Sequence, residues 1–176
     1  MELQVEAGSA LLEEARAGDE VAFTTIVARY HPDLLRIGFV VCGDVDVAEE
    51  AAQSAWVVAW RRLGDLRDSS SLRPWLMSIA ANEARQLTRS KRRRSVREIA
   101  MLDPSTPSVD ATAADRIDLA NALAALEPRD RELLGLRHLA GMDSAEIGRA
   151  VGMTPTAVRS RLARARERLR KELGDD

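Results

Sequence analysis

Apolar residues recur along this chain at helical rather than alternating intervals. The clearest run closes the sequence: SAEIGRAVGMTPTAVRSRLARARERLRKEL, residues 144–173. Here Val158, Leu162, Ala165 and Leu169 follow steps of four, three and four. At about 100° per residue they span roughly 60° of arc and share one face. Thr156, Ser160 and Arg164 fall on the opposite side, with Ala157 and Arg161 at its margin.

The same periodicity predicts helices from about Ala10 to Ala17, Asp19 to Val41, Val45 to Leu63 and Leu72 to Arg94. It resumes from Ala113 to Leu126, Pro128 to Leu139, Ser144 to Val151 and Pro155 to Leu173. Between the two sets lies MLDPSTPSVDATAAD, where Pro104 and Pro107 stand among turn formers without apolar periodicity. The expected organisation is a helical domain over 1–95, a flexible linker over 96–112 and a second helical domain over 113–176. Gly and Asp in CGDVD and LGDLRDSSS mark turns, and Pro32 in HPD predicts a kink or break near Tyr30.

Local signals organise the end of the chain. Asp143 with Glu146 three residues later matches a reciprocal capping box, and Gly152 ends the short helix that follows. Thr154 before Pro155 places a capping hydroxyl ahead of a proline at the first helical position. A short helix, a tight turn and a longer helix make a helix-turn-helix.

Composition supports the all-α class: 176 residues are 45% hydrophobic, mainly Ala, Leu and Val, and only 3% aromatic. A single cysteine, Cys42, excludes an internal disulfide and a thiolate zinc site, which fits a reducing cytoplasm. No apolar run reaches the length of a membrane span, and the acidic start MELQVEAGSALLEEARAGDE lacks the parts of a signal peptide. The expectation is a cytoplasmic chain without membrane insertion.

The net charge of −2 hides two basic patches. RQLTRSKRRRSVR holds Arg85, Arg89, Lys91, Arg92, Arg93, Arg94 and Arg97 without an acid. The last helix holds Arg159, Arg161, Arg164, Arg166, Arg168, Arg170 and Lys171 against Glu167 and Glu172. Two patches suit a long polyanion held at two places, although solvated helix faces account for such runs equally well on charge alone.

Within the helix-turn-helix, Thr156, Ala157, Ser160, Arg161 and Arg164 form the face free to enter a major groove. Arg159, Arg166, Arg168 and Arg170 suit phosphate contacts that hold position without reading sequence. Ordinary helical hairpins share this geometry; cap, turn, small residues and basic outer face together point to DNA. In SLRPWLMSIAANEARQLTRSKRRR, Trp75, Leu76, Ile79 and Leu87 lie in one arc, while Ser78, Asn82, Arg85, Arg89 and Arg92 lie outside it. Trp75 is therefore expected in the core.

No Ser-His-Asp arrangement, phosphate-cradling glycine loop or metal-ligand spacing appears, and His31 and His138 stand far apart. The expectation is a protein that is not an enzyme and needs neither cofactor nor metal, its histidines structural or on the surface.

From the residues alone two other readings stay open. One is a stand-alone regulator using only the helix-turn-helix, which would bind half-sites as a dimer. The other is an interaction protein whose arginines meet an acidic partner.

Three segments taken in order carry a resemblance. DVAEEAAQSAWVVAWRRLGDLRD, then LRPWLMSIAANEARQLTRSKRRR, then after the linker LEPRDRELLGLRHLAGMDSAEIGRAVGMTPTAVRSRLARARERLRKEL resemble the extracytoplasmic-function group of bacterial RNA polymerase sigma factors. The resemblance runs from about Leu11 to Leu173. It implies an alternative sigma factor that binds core RNA polymerase at the β′ clamp and β flap and directs transcription initiation at promoter DNA.

On that resemblance the first domain binds the minus-ten element and the second the minus-thirty-five element. Asp46, Glu49, Glu50, Gln53 and Trp56 match the helix that docks on the β′ clamp. The loop GDLRDSSS, with Asp68, Ser69 and Ser70, occupies the place where an extruded base is held. Asn82 matches the I-A-x-N pattern, and Arg85, Arg89 and Arg92 continue its face. An anti-sigma protein is the expected regulatory partner.

Overall fold

The computed structural model describes residues 10–66, 68–97, 119 and 121–174, with side chains placed at all of these except 92 and 94–97. Among them every regular element is a helix. In chain order these are α1 (residues 10–16), α2 (Glu20–Cys42), α3 (Val45–Arg62), α4 (Leu72–Arg97), α5 (residues 121–124), α6 (Pro128–His138), α7 (Ser144–Val151) and α8 (Pro155–Leu173). Two short 3₁₀ turns, Leu63–Asp65 and Ser69–Ser71, join α3 to α4. Most of the predicted linker lies outside the described residues, as does the start of the helix expected from Ala113.

Helices α2, α3 and α4 pack against one another. The contact face of α3 is nearly all alanine, with Ala48, Ala51, Ala52, Ala55 and Ala59 buried. Small side chains bring the axes close: a Cβ added at Gly38 of α2 would lie 3.3 Å from Ala48. Asp19 caps α2 and Asp44 caps α3, each accepting from backbone N–H groups of the first turn. Asp44 also meets Lys91 of α4 at 3.1 Å.

Of the kink or break expected near Tyr30, the break does not occur. Helix α2 runs unbroken through Pro32 to Cys42. Proline cannot donate to the carbonyl of Ala28, one turn earlier, but both residues are exposed, so water can satisfy that carbonyl.

Helix α6 joins the two groups of helices, because it packs on α2 and α4 as well as on α7 and α8. Leu133, Leu136, Ile147, Val158 and Leu162 thereby belong to the same buried cluster as Ile37, Leu76 and Met77. Fully burying each leucine contributes about 1.5–3 kcal/mol. Gly135 permits the approach, since a Cβ there would lie 3.2 Å from Ile37 Cγ1.

Candidate nucleic-acid interface

The helix-turn-helix is built as its sequence signals indicate. Asp143 Oδ1 accepts from Ala145 N at 2.7 Å and Glu146 N at 2.8 Å, while Glu146 Oε2 accepts from Asp143 N at 2.6 Å, closing the capping box. The bonds donated by Glu146 N and Ala145 N hold the exposed Asp143 carboxyl below its ordinary range. Gly152 ends α7 at φ 69°, and Thr154 Oγ1 caps α8 by accepting from Ala157 N at 3.2 Å.

A further glycine fixes the turn. A Cβ at Gly148 would lie 2.5 Å from the Met153 carbonyl oxygen, so any side chain there collides with backbone. The sequence signal for Gly148 was its place one turn before Gly152, although Gly152 alone suggested the turn.

On α8, Val158, Leu162 and Ala165 are buried and Leu169 is half-buried, as their spacing requires. Thr156, Ser160 and Arg164 are exposed together on the outer side, and Ala157 is half-buried beside them. Arg164 Nε donates to the Ser160 carbonyl at 3.4 Å. Arg161 differs from the rest of the expected reading face: its Nε donates to the buried carboxylate of Asp130 on α6. It ties α8 to its support, with its side chain 35% exposed. Arg159, Arg166 and Arg168 are exposed along α8, and Arg159 Nη2 donates to Thr156 Oγ1 at 3.1 Å.

A second surface lies on α3, α4 and the loop between them. Asp68 accepts from Ser70 Oγ at 2.6 Å, Ser70 N at 2.9 Å and Ser71 Oγ at 3.2 Å, which keeps its carboxyl below the ordinary range. Its carboxylate thus organises the loop, and Ser69 is half-buried within it. Next to the loop opens a groove of about 460 Å³ whose walls include Ser71, Trp75, Ser78 and Asn82 on one side and Met142, Glu146 and Arg149 on the other. Trp75 packs half-buried against the core, as expected, but also forms part of this wall.

Beyond Asn82 the expected basic stripe divides. Asn82 Oδ1 accepts from Arg85 Nη2 at 2.7 Å. Arg85 turns inward, its side chain only 18% exposed, with Nε 3.0 Å from Glu132 Oε2. Arg85 Nε makes no hydrogen bond, so this contact is an ion pair. Arg129 Nη1 donates to the same oxygen at 2.7 Å, and Glu132 is 1% exposed. Burial pushes the Glu132 carboxyl above its usual range, opposed first by Arg129 and then by Arg85. Arg89 is exposed; the side chain of Arg92 lies outside the described residues.

On α3, Asp46, Glu49, Glu50 and Gln53 are exposed, giving an acidic and polar face. Trp56, which the resemblance matches to the docking helix, is buried behind that face. Its Nε1 donates to His31 Nδ1 at 3.1 Å and its ring meets Phe23 edge-on at 5.8 Å. Continuing the steps from Asp46, Glu50 and Gln53 leads to Val57 and Trp60, which are 52% and 40% exposed. This apolar end of the stripe follows from the same helical spacing as the acids.

Among the described residues no helix is long and apolar enough to cross a membrane, and no group of His, Cys, Asp and Glu could hold a metal ion.

Comparison with known proteins matches residues 26–94 to the family described as Sigma-70 region 2 and residues 116–169 to Sigma-70, region 4. Sigma factor CarQ of Myxococcus xanthus is 32% identical over 167 residues, covering 93% of this chain and 96% of CarQ. The probable sigma factor RfaY of Xanthomonas campestris pv. campestris is 35% identical over 171 residues, covering 92% of this chain, which spans 43% of RfaY. Among solved structures, sigma factor RpoE in complex with the anti-sigma factor NepR from Bartonella quintana aligns with a TM-score of 0.73 at 25% identity. That alignment covers 88% of this chain and 98% of RpoE.

Proposed function

Because the chain belongs to the sigma-70 family of RNA polymerase sigma factors, in its extracytoplasmic-function group, we propose a division of labour between its two groups of helices. The first, to about residue 95, docks on the β′ clamp of core polymerase and holds the melted minus-ten element. The second, from about residue 113, seats on the β flap and reads the minus-thirty-five element. The chain supplies promoter choice in the cytoplasm, and the polymerase supplies the chemistry.

The observation that carries this reading is the pair of surfaces on one chain, each within a matched family region. One is the exposed face of α8 with Thr156, Ser160 and Arg164; the other is the groove of Ser71 and Asn82 beside Arg89. In a major groove, arginine recognises guanine and small side chains allow close approach. Capture of a base from the opened strand costs a few kcal/mol of unstacking, and a groove with polar groups and an aromatic edge offsets that cost.

Docking rests on the α3 stripe, acidic at Asp46, Glu49 and Glu50 and apolar at Val57 and Trp60. Covering those acids removes charge that opposes phosphate, so the chain binds DNA better in the holoenzyme than alone. An anti-sigma protein is the regulatory partner, a reading supported by the NepR complex of RpoE. In a pull-down with core polymerase, Glu49→Lys with Glu50→Lys is expected to lose most of the association. Retention equal to the unaltered chain contradicts the docking surface.

A further inference from the structure

Arg161 lies in the second turn of α8, one helical turn from both Ala157 and Arg164, so it borders the face that carries Thr156, Ser160 and Arg164. Its Nε nevertheless donates to Asp130 Oδ1 on α6. The Asp130 side chain is 7% exposed, so one partner is fixed inside the helix-turn-helix support while the other reaches the surface. Asp130 stands in the first turn of α6, where the helix dipole favours a carboxylate, and that helix is buried from Asp130 to Leu136. The carboxylate therefore has little freedom to follow a moving arginine. No other side-chain hydrogen bond of Arg161 is formed among the described residues.

A guanidinium carries its donors in one rigid plane. With Nε turned to Asp130, Nη1 and Nη2 remain, and that pair matches the O6 and N7 acceptors of guanine. An arginine already held in one plane loses less rotamer freedom on binding than a free one. The carboxylate also cancels the charge of Arg161, so the pair offers little general attraction to phosphate and gains most where geometry counts. Arg166 and Arg168, exposed on the same helix, have no carboxylate partner among the described residues.

We propose that Asp130 is a positioning residue for promoter choice: through Nε it sets the plane of Arg161, whose Nη1 and Nη2 then select guanine at one position of the minus-thirty-five element. This rests on the assignment of α8 to that element. The contact that steadies α8 on α6 thus also aims one of its readers.

The test uses holoenzyme reconstituted with the full chain, unaltered and as Arg161→Ala, Asp130→Ala, Asp130→Asn and Asp130→Ala with Arg161→Ala. Each chain is checked for unchanged helical content by circular dichroism. Fluorescence anisotropy reads affinity for duplexes built on a promoter that this chain uses with core polymerase, every minus-thirty-five base pair being changed in turn. Arg161→Ala and Asp130→Ala are each expected to lower the preference for guanine at the same single position by about tenfold. The double variant loses no more than either alone. Asp130→Ala leaves its arginine charged and unpaired, so the salt slope does not fall. Asp130→Asn keeps most of the preference, since its side-chain oxygen still accepts from Nε.

A carboxylate that served folding alone would, on removal, weaken binding equally on every sequence. That result for Asp130→Ala overturns the proposal, as does a changed position other than that of Arg161→Ala, an additive loss in the double variant, or a loss in Asp130→Asn as deep as in Asp130→Ala. Should Asp130→Ala lose helical content, Asp130→Ser, whose shorter side chain falls away from Nε, takes its place. The underlying assignment is tested separately by Arg164→Ala: a preference changed elsewhere in the element keeps α8 as the reading helix whatever becomes of Asp130. No changed preference in any variant removes that assignment, and with it the proposal.

Discussion

At Gly148 a single hydrogen atom decides whether the helix-turn-helix closes. The Met153 carbonyl sits where a Cβ would be, 2.5 Å away, and backbone cannot retreat as the end of a flexible side chain can. Gly148→Ala is expected to destabilise the chain by about 1–3 kcal/mol, as overpacking does, read as a lower urea midpoint. An unchanged midpoint contradicts the tightness of the turn. Asp143, Glu146, Gly152 and Thr154 were legible as caps because their partners lie within a few residues along the chain. Glu132 was not, since nothing near it in sequence announces that Arg85, across the linker, is its partner. The burial of Trp56 has no local signal for a related reason, since Phe23 and His31, which enclose it, both lie on α2.

Among the elements, α8 was the most legible and α6 the least. Helix α8 has one apolar stripe and one neighbouring surface, so period alone separates its buried face from its outer one. Helix α6, PRDRELLGLRH, carries charges in every turn yet is buried from Asp130 to Leu136, because it is enclosed by helices from both groups. Arg129, Asp130 and Glu132 are held by ion pairs, and Arg129 Nη2 also donates to Val151 O at 2.6 Å, which no periodicity reveals. The division of α8 also yields a prediction. Arg164→Ala or Ser160→Ala is expected to change the preferred minus-thirty-five sequence. Arg168→Ala weakens binding on every promoter and reduces the salt slope, log K against log salt, by about 0.9. Equal losses on all promoters for both classes, measured by holoenzyme binding at several salt concentrations, contradict the assignment of the reading face.

For the molecule as a whole, acidic and basic surfaces are kept apart within a chain of net charge −2. The all-helical class and the two groups of helices were legible from composition and period. Their shared core was not, because contacts across a long connection leave no local signature. Part of that assembly depends on ionised carboxylates. Hydrogen bonding from Arg73 holds Asp33 below its ordinary value of 3.8, and the bond from Val47 N does the same for Asp44. A depressed folded-state pKa means stabilisation that is complete above the unfolded value and lost as pH falls through the folded one. Melting temperature is therefore expected to fall between about pH 5 and pH 2. With Asp33→Asn and Asp44→Asn together, that fall should be shallower; an equally steep fall contradicts the role given to these two groups. The measurement that bears most directly on the whole account is reconstituted transcription, in which the chain is added to core RNA polymerase with genomic DNA and the start sites are mapped. The account predicts new starts, each preceded by two shared sequence blocks at a fixed separation, one block altered in preference by Arg164→Ala and the other weakened by Arg89→Ala. Start sites no different from those of core polymerase alone would contradict it.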